Sequence, residues 1–334
     1  MVTKNLTIEE RHLSKPVSRV ARLMMRRRLA MAESLVDELA NPDALHQFRV
    51  AIRRARSIEK AYRPYLSDVV SRKLRQRLKA VVAATGAARD TEVQLERLAE
   101  RRIDPRPHQE PGFDWLQQRL QQRLAAEYAQ LQDNLAERFL LVHKPLRERL
   151  KSKRVAAQLS FAEVTAGLLL EAAGDFALQC EPIGHEMAEE PLHSARIAGK
   201  RLRYLLEPLV DVFPDARGLV KTLKGLQDLL GEIHDLQVFG HELMLASEEA
   251  GAARMRKLIE LSLTLPRDAP ELVQARERDE RAGLMSLARQ LQARQMDLHE
   301  YMRARLRAGD VEQLVAGVQA LSRECSRAGL HGRS

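Results

Sequence analysis

Chain breakers are scarce in this sequence. It has 16 glycines and 13 prolines in 334 residues, below the roughly 12% combined share of average proteins. That shortage excludes collagen-like repeats and long disordered tracts, and it argues against a turn-rich all-β fold. Aromatic residues reach only 4%, so few rings exist to stack on unpaired nucleobases. Two cysteines, Cys180 and Cys325, are too few for a disulfide framework or a cysteine metal cluster. The opening MVTKNLTIEERHL has no apolar core of the kind a secretory signal needs. The most apolar stretch, residues 161–178, is interrupted by Glu163, Glu171 and Asp175. These fall within roughly 120° on a helical projection, as on an amphipathic core helix and not on a membrane span. A cytoplasmic protein without a membrane segment is the expectation.

What the sequence does have is helix formers: Ala, Leu, Arg, Gln and Glu dominate. With 45% hydrophobic and 30% charged residues, the chain can bury a sizeable core and still solvate its surface. The net charge is +9, and it is unevenly spread. Residues 1–100 carry 21 Lys/Arg against 12 Asp/Glu, which accounts for the whole excess. A locally basic surface favours polyanions: nucleic acid, an anionic membrane or a phosphate-rich polymer. An ordinary solvated face would carry the same composition.

Breaker signals divide the chain into long helical segments. A first helix is expected over about residues 14–39, ending at Asn41-Pro42. Asp43 is the expected cap of a second, running to about residue 62. Helices near 67–84 and 87–101 are separated around Gly86, and residues 104–112 read as a loop. A long periodic stretch follows from 113 to about 150, with a kink at Pro145. The second half reads as helices over 161–179, 191–212, 217–230, 232–246, 252–263, 272–306 and 311–327, with Pro182 and Gly184 in a connector.

An internal repeat emerges at residue level. His46-Gln-Phe-Arg49-Val-Ala-Ile-Arg53-Arg54-Ala-Arg56 matches His193-Ser-Ala-Arg196-Ile-Ala-Gly-Lys200-Arg201-Leu-Arg203, 147 positions further on. Leu78-Lys79 through Gly86 to Arg89-Asp90 matches Leu223-Lys224 through Gly231 to His234-Asp235, 145 positions further on. Two blocks recurring in order at nearly constant spacing indicate a duplicated helical half. An all-α chain of two pseudo-symmetric bundles is expected.

On a helix of about 100° per residue, His46, Arg49, Arg53, Arg56 and Lys60 occupy one arc of roughly 80°. Phe48, Ala51, Ile52, Ala55, Ile58 and Tyr62 cover the opposite side. The second copy repeats the arrangement with His193, Arg196, Lys200 and Arg203. Arg54 and Arg201 point elsewhere on their helices. Like charges at these spacings repel by a few tenths of a kcal/mol per pair. A bound multi-phosphate anion would outweigh that, at roughly 1.5–3 kcal/mol per charge-assisted hydrogen bond. The alternatives are a solvated face, or pairing with acids such as Asp90 and Asp235.

These two His-x-x-Arg-x-x-x-(Arg/Lys)-x-x-Arg blocks, each followed by a Lys…Gly…Asp block, resemble the CHAD family, the conserved histidine α-helical domain. The resemblance covers about residues 12–325 as a single domain. It implies two four-helix bundles, at about 12–155 and 159–325, around a basic channel or groove, with tails at 1–11 and 326–334. It further implies inorganic polyphosphate as ligand and association with polyphosphate granules, where granule proteins would be partners. The implied ligands are His46, Arg49, Arg53, Arg56, His193, Arg196, Lys200 and Arg203, with Lys79 and Lys224 added. Lys200 departs from the usual second Arg and loses its planar fork. His234 stands where the first copy has Arg89, leaving the second half less basic near neutral pH.

No enzyme is expected. No Glu-x-Glu-x-Lys motif, of the kind carried by the catalytic domain of many relatives, precedes the helical region. The dipeptide His234-Asp235 is used by some metal-dependent phosphohydrolases, but its counterpart is Arg89-Asp90, and Arg cannot ligate a metal. No His-Glu-x-x-His and no phosphate- or dinucleotide-binding glycine loop occurs, so neither metal nor cofactor is expected. The first helix adds Lys15, Arg19, Arg22 and Arg26. Arg19, Arg22, Arg26 and Arg89 are candidate further ligands; the first-helix set could equally be a nucleic-acid patch or a solvated face. A nucleoid-associated, nucleic-acid-binding helical protein is the competing reading.

Overall fold

The computed structural model describes residues 8–152, 159–185 and 188–331. Among these residues it is all-α, with eleven α-helices and no strand beyond one isolated bridge between Pro16 and Ser160. The helices are α1 (Val17–Glu33), α2 (Pro42–Ala61), α3 (Arg72–Ala84), α4 (Gly86–Arg101), α5 (Glu110–Arg149), α6 (Phe161–His185), α7 (Glu189–Leu206), α8 (Pro214–Thr264), α9 (Pro270–Glu277), α10 (Arg281–Arg307) and α11 (Asp310–His331).

Several boundaries differ from the expected ones, each for a local reason. The cap of α2 is Asn41, not Asp43: the Asn41 side chain accepts from the Asp43 N–H at 2.9 Å. Pro42 takes the first helical position, where its missing N–H costs nothing, so the cap is the residue before it. Three helices expected over 217–263 are one helix, α8, of 51 residues. Gly231 weakens a helix by about 1 kcal/mol relative to Ala but does not break it. Likewise Pro182 lies inside α6 and Pro145 inside α5. Conversely, the single helix expected over 272–306 is interrupted at Arg278, whose backbone is extended at ψ 116°. Asp279 then accepts from the Arg281 N–H at 3.0 Å and starts α10 afresh.

The chain forms two compact units. Unit 1 comprises residues 1–87, 129–231 and 302–334; unit 2 comprises 88–128 and 232–301. Each unit therefore draws on both halves of the sequence, and the expected boundary near 155–159 lies largely outside the described residues.

Within unit 1, α1 packs on α2 and α6 packs on α7 and α11, while the two pairs meet along α1–α6 and α2–α7. Fully buried Phe48 and Phe139 form an edge-on ring pair with centroids 5.1 Å apart. The buried Tyr62 hydroxyl shares a 2.9 Å hydrogen bond with the Thr165 hydroxyl, which satisfies both polar groups in the core. Unit 2 is pinned by a buried carboxylate. Glu242 receives Arg123 at 2.8 Å and also pairs with Arg119. Gly112 and Gly283 lie so close that a Cβ on either would strike backbone of the other's segment. Only glycine fits both positions.

Candidate functional site

All ten residues expected to bind polyphosphate lie in unit 1. The α2 row is held from below by a continuous apolar face: Phe48, Ala51, Ile52, Ala55 and Ile58 are buried. This leaves His46 and Arg53 exposed, with Arg49 and Arg56 half-buried. On α7, Ala195, Ala198, Leu202, Leu205 and Leu206 are buried. His193 is exposed there, and Arg196, Lys200 and Arg203 are half-buried. The 3.6-residue period thus turns one stripe of each helix into core and leaves the cations on the other. Arg49 to Arg56 spans about 10 Å at 1.5 Å rise per residue. Lys79 on α3 and Lys224 on α8 are both exposed.

The cations divide into two groups by what they touch. Arg54, off the α2 row, pairs with Glu207 at 2.9 Å. Arg201, off the α7 row, pairs with Glu171 at 2.6 Å and lies 3.7 Å from Asp175. By contrast, Arg53, Arg56, Lys79 and Lys224 form no ion pair among the described residues. Arg49 donates to the carbonyl oxygen of Thr85, a cation placed against the C-terminus of α3. Arg203 is intermediate, 3.5 Å from Glu207 and 5.5 Å above the Tyr204 ring.

Glu207 was invisible to sequence reasoning, yet it joins the two row helices. It pairs with Arg54 of α2 and Arg203 of α7, and Arg28 of α1 feels both Arg54 and Glu207. Burial, then the nearby Arg54, push the Arg28 guanidinium down to about 10. Of the acids considered as partners, Asp235 lies 3.5 Å from Arg97 of α4.

The added candidates separate. Arg22 is 4% exposed, pairs with Asp68 at 2.7 Å and donates to the Ser152 carbonyl at 2.8 Å. It fastens the scaffold. Arg19 and Arg26 are exposed and line a groove with Lys15. Arg89 belongs to unit 2 and pairs with Glu92 at 3.0 Å and Glu96 at 3.1 Å.

A second unforeseen feature lies beside Lys200. Gly199 leaves room for Phe176 and for the Gln227 side chain, which a Cβ would approach to 3.0 and 3.1 Å. In the repeat, Gly199 corresponds to Ile52 and Gln227 to Val82. Ile52 and Val82 of one copy are thus glycine and glutamine in the other, where the glutamine side chain fills space beside the glycine.

Both cysteines are buried. Burial raises both Cys180 and Cys325 to about 12, so each stays a neutral thiol. Among the described residues no group of three or more His, Cys, Asp or Glu is placed to hold a metal ion. None of their helices is long and apolar enough to cross a membrane.

The CHAD domain family model matches residues 21–244. Among solved structures, the chain is similar to the CHAD domain from the plant Ricinus communis, with 21% identity, 95% of each chain covered and a TM-score of 0.61. It is also similar to PptA from Streptomyces chartreusis, with 14% identity, 92% of this chain and 100% of that chain covered, and a TM-score of 0.50. At these identities the structural likeness speaks for the all-α fold. No curated protein matches the sequence.

Proposed function

The chain belongs to the CHAD family, whose members are linked to polyphosphate, and on that premise we propose that it binds inorganic polyphosphate through the cations of α2 and α7. Lys79 and Lys224 supply further contacts. The observation that carries this reading is the division among the arginines. Arg54 and Arg201 are neutralised by carboxylates, while Arg53 and Arg56, the neighbours of Arg54 on α2, meet no acid among the described residues.

Keeping such cations together has a small electrostatic cost, which a phosphate chain reverses. Each charge-assisted hydrogen bond contributes roughly 1.5–3 kcal/mol. An unbranched chain with an anionic oxygen on every unit and no base to read needs only a tract of Arg, Lys and His. Binding, without catalysis, is the activity proposed, and residence at cytoplasmic polyphosphate granules with other granule proteins follows from it.

Titration calorimetry at moderate salt tests the reading. A long polyphosphate chain should bind much more tightly than pyrophosphate, because only the chain engages both rows; equal affinities would overturn it. Duplex DNA at equal phosphate concentration should fail to displace the chain. Displacement would favour the nucleic-acid reading instead.

A further inference from the structure

We propose that unit 1 carries a second, separate anion site, in the groove between α1 and the C-terminal end of α5, which takes a compact, multiply phosphorylated small molecule. The groove has a volume of about 750 Å³, inside the roughly 300–1,000 Å³ range of small-molecule sites. Its described lining includes Lys15, Arg19, Arg26 and Lys151, and it contains no carboxylate and no residue of α2 or α7. Lys15, Arg19 and Arg26 form no ion pair among the described residues. Arg19 and Arg26 stand about 10 Å apart along α1, on the side opposite the Val17, Met24 and Arg28 face that is buried.

The groove is built, not merely basic. Arg22, between Arg19 and Arg26, ties its floor to Asp68 and to the Ser152 carbonyl. At one end His12 accepts the Glu9 N–H on Nδ1 at 2.9 Å, so its neutral ring carries the proton on Nε2 and can donate. Burial, with Arg11 and Arg27 nearby, holds His12 below the ordinary histidine value, against the opposing pull of Glu9. At the other end the groove continues into a cavity of about 400 Å³. There Glu33 pairs with Arg147 at 3.2 Å, and this carboxylate ends the stretch hospitable to anions. A bounded length selects a compact ligand over a long chain.

Two probes distinguish the phosphate chemistry: tripolyphosphate, an anhydride, and inositol hexakisphosphate, an ester. With the whole chain, calorimetry should give two tripolyphosphate sites per protein, with at least one probe bound in the groove. Replacing the exposed groove cations (Lys15→Gln, Arg19→Gln, Arg26→Gln) should weaken one site at least tenfold and leave the other. A row variant (Arg53→Gln, Arg56→Gln, Arg196→Gln, Lys200→Gln) should do the converse. The His12 ring resonances should shift on probe addition in the row variant and stay still in the groove variant. A wild-type protein that binds the probes in the groove and shows no site weakened by the row variant would refute the proposed function alone. The groove proposal is overturned if the groove variant, folded by circular dichroism, binds both probes as wild type does, or if the row variant binds neither.

Discussion

Arg54 and Glu207 meet at 2.9 Å across 153 positions of sequence. This ion pair fastens α2 to the turn that follows α7. Both side chains are about three-quarters or more buried, and Arg203 adds a second cation at 3.5 Å. The carboxylate therefore holds the two row helices together and touches the rows only through Arg203.

Removing that carboxylate should damage the scaffold and spare the ligand. Glu207→Ala leaves Arg28, Arg54 and Arg203 without their shared acid, and a stranded part-buried charge costs about 1–3 kcal/mol. Thermal unfolding should show the loss. Polyphosphate affinity, measured well below the melting temperature, should be unchanged or slightly higher because local positive charge rises. A large fall in affinity would place Glu207 in the site itself.

The Gly199–Gln227 pair makes a packing test. Gly199→Ala puts a methyl group about 3 Å from Phe176 and Gln227, and overpacking of this kind costs about 1–3 kcal/mol. The double variant Gly199→Ala with Gln227→Ala opens the space and should recover part of that loss. A double-mutant cycle in denaturant reads the coupling. Additive effects would mean that the two positions do not share a volume.

Much of this arrangement was legible in the sequence, and the remainder has a common physical origin. Helical periodicity identified the rows and their buried faces, because Phe48, Ile52 and Leu202 recur at the spacing that a helix turns into one stripe. The repeat aligned Lys79 with Lys224, and both are exposed. What periodicity cannot supply is the partner of a polar side chain. Arg22 and Arg26 share one face of α1, yet one is buried against Asp68 and the other is exposed. Tertiary contacts from Ser152, beyond the end of α5, and from Asp68, before α3, decide between them. Glu207 was missed for the same reason, since its partners lie in α1, α2 and α7. Helix continuity through Gly231 was missed because glycine weakens a helix without being a stop signal unless the backbone turns left-handed. That happens at Gly309, where φ is +79° between α10 and α11.

Acid should destabilise unit 1 through His143. His143 is buried, its ring stacked on Phe139 at 5.1 Å. Burial, with Arg147 adding to it and Glu33 opposing, lowers its pKa from the ordinary 6.5. The folded chain thus takes up this proton less readily than the unfolded chain. The stabilisation is full above about pH 6.5 and is lost as the pH falls below that value toward the depressed folded-state pKa. Asp279, held down to about 2 by Arg281, keeps its charge throughout this window. Melting temperatures between pH 7 and pH 5 should therefore fall, and less steeply in His143→Phe, which preserves a ring on Phe139. Equal slopes in the two proteins would contradict the assignment.

The most direct measurement is the salt dependence of long-chain polyphosphate binding in three proteins: wild type, the row variant Arg53→Ala/Arg56→Ala/Arg196→Ala/Lys200→Ala, and the paired-arginine control Arg54→Ala/Arg201→Ala. By analogy with single-stranded nucleic acid, where each neutralised phosphate contributes about 0.7 to the slope of log K against log salt, four lost contacts should flatten it by roughly 3. The row variant should stay folded and lose at least a hundredfold in affinity. The control should lose stability and keep both affinity and slope. If the control loses as much binding as the row variant, or the row variant binds with the wild-type slope, polyphosphate is not held by these rows.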